Sequence, residues 1–168
     1  MKRIILLTVS AFIACMAMGQ QGKYGGSMKK LIGQTYTDSK LIPDLSTWTL
    51  RQGSIASPLS DPEWFMVEVY QKGSTYIVFF SVVEDTSVNK SQILDVIEIT
   101  NVKPGAEIKT GVCREYKTEN GFIVALVRPI KAEYTPVKKA WSFNRDKRRF
   151  ELLAITNVDC LNEGFDQD

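Results

Sequence analysis

Two Ser-x-x-Lys strings, Ser27 to Lys30 and Ser87 to Lys90, and a Lys-Thr-Gly at Lys109 to Gly111 come nearest to catalytic equipment in this chain. In a Ser-x-x-Lys pair the lysine amine can take the serine proton, while a Lys-Thr-Gly strand lines the acyl site. That arrangement needs a serine at the start of a buried helix, in a chain much longer than 168 residues. Ser87 falls instead in a polar turn between two expected strands. The carboxylates Glu68, Glu84, Asp85, Asp95 and Glu98 could supply the acid and base of a small hydrolase, but their spacing singles out no pair. Histidine is absent altogether, which removes His-dependent triads, Cys–His pairs and imidazole zinc sites. No catalytic residue and no cofactor is expected.

The C-terminal tail from Asp159 to Asp168 gathers oxygen ligands around Gly164, as a calcium loop would. Its third ligand position falls on Leu161, however, and the sequence ends before the bidentate glutamate. We read it as a solvated acidic tail, with no metal. With Cys15 removed or lipidated at the N-terminus, two cysteines remain, and Cys113 and Cys160 are expected to form a disulfide that ties this tail to the body of the sheet; in an oxidising compartment an even number argues for pairing. Thiolate chemistry is then closed as well.

Charge is laid out unevenly. Between Arg128 and Arg149 lie Arg128, Lys131, Lys138, Lys139, Arg145, Lys147, Arg148 and Arg149 against Glu133 and Asp146, and beyond Arg149 all charges are negative. Arg145, Lys147, Arg148 and Arg149 therefore mark a basic hairpin tip that could dock an acidic protein or an anionic envelope polymer. The plainer reading is a solvated turn whose charges deter edge-to-edge sheet pairing. Trp64, Met66, Tyr70, Tyr76 and Phe80 could form an aromatic ligand platform, though aromatic residues on strands more often build a core.

The N-terminal residues fix the compartment we expect. Met1-Lys2-Arg3, an apolar run from Ile4 to Met18 and Ala17-Met18-Gly19 make the three parts of a cleavable secretory signal over 1–19. The run is short for a membrane span, which needs about 20 apolar residues, so no span is expected once the signal is removed. Phe12-Ile13-Ala14-Cys15 offers the alternative of a lipoprotein anchored through Cys15, although Phe12 and Ile13 depart from the usual lipobox. Lys2 and Arg3 leave with the signal, so the remaining chain carries 19 charges of each sign. A nucleic-acid partner, which calls for a basic excess, is not expected.

Residues 20–26 hold three glycines and read as a flexible leader; 27–168 is long enough for one domain with a core. Ser27 is expected to cap a short helix with Met28, Leu31, Ile32 and Tyr36 on one face. Strands follow over Trp48–Ile55, Trp64–Tyr70, Thr75–Val83, Ile93–Thr100, Glu107–Tyr116, Phe122–Val127, Lys138–Asn144 and Arg149–Ile155. Lys72-Gly73-Ser74 and Asn120-Gly121 supply hairpin turns. In Thr75–Val83 both faces are apolar, which places that strand centrally with cover on both sides. The fold expected is mainly β: an antiparallel sheet arranged as a sandwich or partly closed barrel with a short N-terminal helix, or else α+β.

The function expected is that of an exported, non-catalytic envelope protein, periplasmic or extracellular, which binds or supports an unidentified protein or envelope polymer. The alternatives are a periplasmic inhibitor or protective factor using the basic tip, and a small carboxylate-dependent hydrolase.

Overall fold

A computed structural model describes residues 26–57 and 60–165. The expected signal, most of the leader, Cys15, Asp166 and Asp168 lie outside the described residues. Two antiparallel sheets face one another. In the first, β2 (Thr49–Ile55), β3 (Phe65–Lys72), β4 (Thr75–Asp85) and β5 (Lys90–Ile99) run as a meander, and β1 (Thr35–Tyr36) adds to the outer side of β5. β4 is the middle strand, as its two apolar faces require.

The second sheet comprises β6 (Glu107–Thr110), β7 (Cys113–Glu115), β8 (Thr118–Glu119), β9 (Ile123–Val127), β10 (Tyr134–Asn144), β11 (Arg149–Leu153) and β12 (Val158–Leu161). Its order is β6-β9-β10-β12-β7-β8, and β11 pairs with the far half of β10. The sheet curls into a half-barrel.

The strict alternation of β3 and β4 sorts side chains into layers. Phe65, Val67, Val69, Val78 and Phe80 face the second sheet and meet Val124, Trp141, Phe143 and Phe150. Phe80 and Phe143 stack at 4.5 Å and Phe150 closes edge-on to Phe80 at 5.2 Å. Each such fully buried aromatic side chain contributes about 2–3 kcal/mol of hydrophobic stabilisation. Tyr70, Ile77 and Phe79 point the other way and are covered by Met28, Leu31, Ile42 and Leu45. A third layer behind the second sheet joins Ile123, Ala125, Val127 and Val137 to Val158 and the two cysteines.

Several local expectations are corrected. The N-terminal helix is one 3-10 turn, Ser27–Leu31, preceded by Gly26 as its cap. Ser27 lies inside it, Met28 and Leu31 are buried, and Ile32 is 41% exposed. The span 107–116 breaks at Gly111 (φ +74°) into β6 and β7, which pair with different strands. Asn120-Gly121 makes no hairpin. The chain reverses earlier, at Tyr116-Lys117, where both residues have positive φ (49° and 64°) and β7 pairs with β8. Gly121 is needed for a different reason: a Cβ there would lie 2.4 Å from the carbonyl oxygen of Ala56.

Candidate functional site

β2 is one edge strand of the first sheet and β6 one edge strand of the second, and residues of both line a common cleft. Gln52 Nε2 donates to the carbonyl of Thr110 at 2.9 Å. A β-bulge between Leu50 and Gln52 makes this possible. It breaks the alternation, so Leu50 packs in the layer behind the first sheet while Gln52 faces the second.

Beside this junction lies a cleft of about 440 Å³, within the size range of small-ligand sites. Val69 and Ile108 form its apolar floor and Tyr76 one wall; Arg51, Gln52, Gln71, Glu107, Lys109 and Glu163 make the rim. Arg51 Nε donates to Gln71 Oε1 at 2.7 Å, and Gln71 Nε2 donates to the carbonyl of Gly73 at 2.8 Å. The Arg51 head is thereby aimed with its terminal nitrogens unused among the described residues. Lys109 Nζ sits 2.9 Å from Glu163 and 3.4 Å from Glu107, with its side chain only 12% exposed. Burial pulls the ammonium down, but the two carboxylates outweigh it and the group is held above its ordinary value.

A second groove of about 580 Å³ runs beside the Tyr116-Lys117 turn, between Tyr134, Pro136, Ile155 and Asn157. Tyr116 is 71% exposed. Left-handed backbone at two non-glycine residues costs about 1 kcal/mol or more each. Neighbouring contacts hold it: Tyr116 N–H donates to the carbonyl of Asn157, Cys113 is bonded to Cys160, and Arg114 pairs with Asp159 while lying 3.3 Å over the Tyr134 ring.

The residues singled out in the sequence are placed as follows. Cys113 and Cys160 are disulfide-bonded across directly paired positions of β7 and β12. The basic tip is matched within the chain: Arg145 lies 3.1 Å from Asp61, Arg148 2.8 Å from Glu63, and Lys147 and Arg149 2.8 and 3.1 Å from Glu151. Hydrogen bonds from Lys147, Asn144 and Arg149 hold the Glu151 carboxyl down to about 2. Arg145 also lies 5.3 Å from the Phe65 and Phe122 ring centres. The aromatic platform is divided: Tyr76 and Phe80 belong to the layer between the sheets, Tyr70 to the layer behind the first.

The carboxylates are likewise dispersed. Glu68 is buried and accepts from Tyr36 Oη at 2.7 Å and from Ser39 Oγ, which in turn accepts from Tyr70 Oη at 2.8 Å. Burial first, and then the Glu68 charge, push the Tyr36 phenol far above its ordinary value, so it stays a donor. Asp95 sits on the opposite face of the sheet and accepts from the backbone N–H of Phe150 at 2.7 Å. Glu84 pairs with Lys90, and Asp85 accepts from Ser87. Asp159 and Glu163 of the acidic tail pair with Arg114 and Lys109. Among the described residues no group of three or more Cys, Asp or Glu side chains could hold a metal ion, and no helix is long and apolar enough to cross a membrane.

Sequence reasoning passed over Arg51, Gln52 and Gln71. The one signal was polar Arg51-Gln52 inside an expected strand, the mark of a slipped alternation. Comparison with protein-family models, with curated proteins and with solved structures found no match.

Proposed function

We propose that this chain is an exported, non-catalytic binding module of the bacterial envelope or extracellular space, and that it takes its ligand in the β2–β6 cleft. The observation that carries the reading is the cleft's construction. An apolar floor is ringed by polar groups with unused hydrogen-bonding capacity: the Arg51 terminal nitrogens, Gln52 Oε1 and the Tyr76 hydroxyl. Small-ligand sites combine apolar surface with placed polar groups; here the polar groups make up the greater part of the lining. Apart from Glu163, which lies in the turn beyond β12, the lining residues stand on strands paired within their own sheets, so most of the rim is held in place before a ligand arrives. Export is supported by the charged, then apolar, then small-residue pattern of 1–19 and by the disulfide.

Two measurements test it. The intact mass of the protein recovered from outside the cytoplasm should correspond to a chain starting at Gln20 that gains two protons on reduction. A full-length species confined to the cytoplasm would remove the export reading, and a lipidated Cys15 would make it an anchored protein instead. For the cleft, the protein should co-sediment with isolated cell-envelope polymer, and Arg51→Ala combined with Tyr76→Ala should lose most of that binding. Equal sedimentation of the two would place the ligand elsewhere.

A further inference from the structure

The rim chemistry narrows the class of ligand. Resting on the reading of the cleft as a binding site, we propose that its ligand is an uncharged, hydroxyl-rich one: a sugar unit of a neutral glycan.

Charge comes first. Lys109 is committed to Glu107 and Glu163, so this corner of the rim carries one ammonium against two carboxylates. Arg51 supplies the balancing positive charge on the facing strand, and the lining as a whole is neutral. An anionic ligand would gain from Arg51 but would meet the lone pairs of Glu107, Glu163 and Gln52. A cationic ligand would meet Arg51 and the half-buried Lys109. Neither is favoured.

The hydrogen-bonding pattern comes second. The rim offers donors (Arg51 Nη1 and Nη2) and acceptors (Gln52 Oε1 and the carboxylates), and Tyr76 Oη can do both. A hydroxyl group is itself donor and acceptor, and a sugar presents several in fixed directions; it can use both kinds of rim group at once. The rim also lends directionality, because the Gln52 amide is fixed by the carbonyl of Thr110 and the Arg51 fork by Gln71.

Tyr76 supplies the third element. Its ring packs against the core between the sheets, while part of it stays open to the cleft. An aromatic ring gives the apolar C–H face of a sugar a surface to lie on, and Tyr adds a polar handle at its edge.

The test uses the full exported chain in native gels containing one soluble polysaccharide at a time. Uncharged polymers (a glucan, a mannan and a galactan) are compared with a polyuronate. The expected result is retardation by at least one uncharged polymer, unchanged by raised salt, since no net charge is exchanged. Tyr76→Ala should weaken that binding about tenfold or more, equivalent to about 1.4 kcal/mol, and Arg51→Ala by a smaller factor. Arg51 is exposed, so its variant keeps the test readable if Tyr76→Ala unfolds; Tyr76→Phe should retain most of the binding. Retardation by the polyuronate alone, abolished by salt and by Arg51→Ala, would keep the cleft as a site and overturn the neutral-glycan assignment. Retardation by an uncharged polymer that neither variant changes would overturn both. Absence of retardation by every uncharged polymer would overturn the assignment.

Discussion

Behind the first sheet, the apolar residues of β3, β4 and β5 are covered by irregular chain: 3-10 turns that bring Met28, Leu31, Ile42 and Leu45 down onto Tyr70, Ile77 and Phe79. Behind the second, the sheet covers itself by curling β7 and β12 over β9. The fastening differs accordingly. On the first side, Glu68 collects hydroxyls from β1, from the turn Ser39–Leu41 and, through Ser39, from β3. On the second, one covalent bond joins neighbouring strands, Cys113 to Cys160. Irregular chain has no ladder of backbone hydrogen bonds to hold it, so a buried polar hub takes that part. A curled sheet has its ladder but must keep its last strands from peeling away, and a cross-link does that directly.

Removing the disulfide should have the largest effect. The bond spans 47 residues, and Cys113→Ala with Cys160→Ala should cost about 4 kcal/mol in urea unfolding by loop-closure entropy. Hydrogen exchange should quicken first in β7, β8 and β12 while β3 and β4 stay protected. Uniform loss of protection across both sheets would erase the distinction between the two fastenings.

Glu68→Ala should follow at about 3 kcal/mol, because it leaves the buried Ser39 hydroxyl without its acceptor and the part-buried Tyr36 hydroxyl with Ser81 Oγ, 3.0 Å away, as its remaining partner. Glu68→Gln keeps one carbonyl acceptor and should cost about 1 kcal/mol. Equal losses for the two would mean that packing, and not the hydroxyl hub, holds that layer. Next is Gly121→Ala, at about 2 kcal/mol, since the obstructing atom is the Ala56 backbone carbonyl and cannot swing aside. Gly73→Ala, at a hairpin turn with open space around it, should cost about 1 kcal/mol from its positive φ alone.

The smallest effect is pH dependence at the β10–β11 tip. Glu151 is depressed in the folded chain from an ordinary 4.5 to about 2, chiefly by the Lys147 hydrogen bond. Its contribution is therefore full above 4.5 and is lost as pH falls towards 2. Glu151→Gln should flatten the acid limb of stability over that window; an unchanged limb would show that the exposed carboxylate adds nothing.

The legibility of each feature follows from how far apart its parts lie along the chain. Asn120-Gly121 is a strong hairpin signal, yet the reversal falls at Tyr116-Lys117, because β8 is tied to β7 and β9 is drawn off to pair with β10 and β6. Tertiary pairing outweighed local turn chemistry. The basic tip was visible as a run of cations, but the carboxylates that match Arg145 and Arg148 are Asp61 and Glu63, in a different loop. The cleft was the least legible feature, since it belongs to neither sheet alone.

What the sequence determined by itself is the set of properties carried by neighbouring residues. The alternation of β3 and β4 divides their side chains into two opposite sets, and the apolar character of both sets makes β4 the central strand. Beyond the N-terminal segment only Cys113 and Cys160 remain to pair with one another, and they do. Only the tertiary structure decided which edges meet and what they enclose. Gln52 reaches a partner 58 residues away, and Arg148 one 85 residues away. Side-chain periodicity states which way a residue turns, but not which distant strand it will find there.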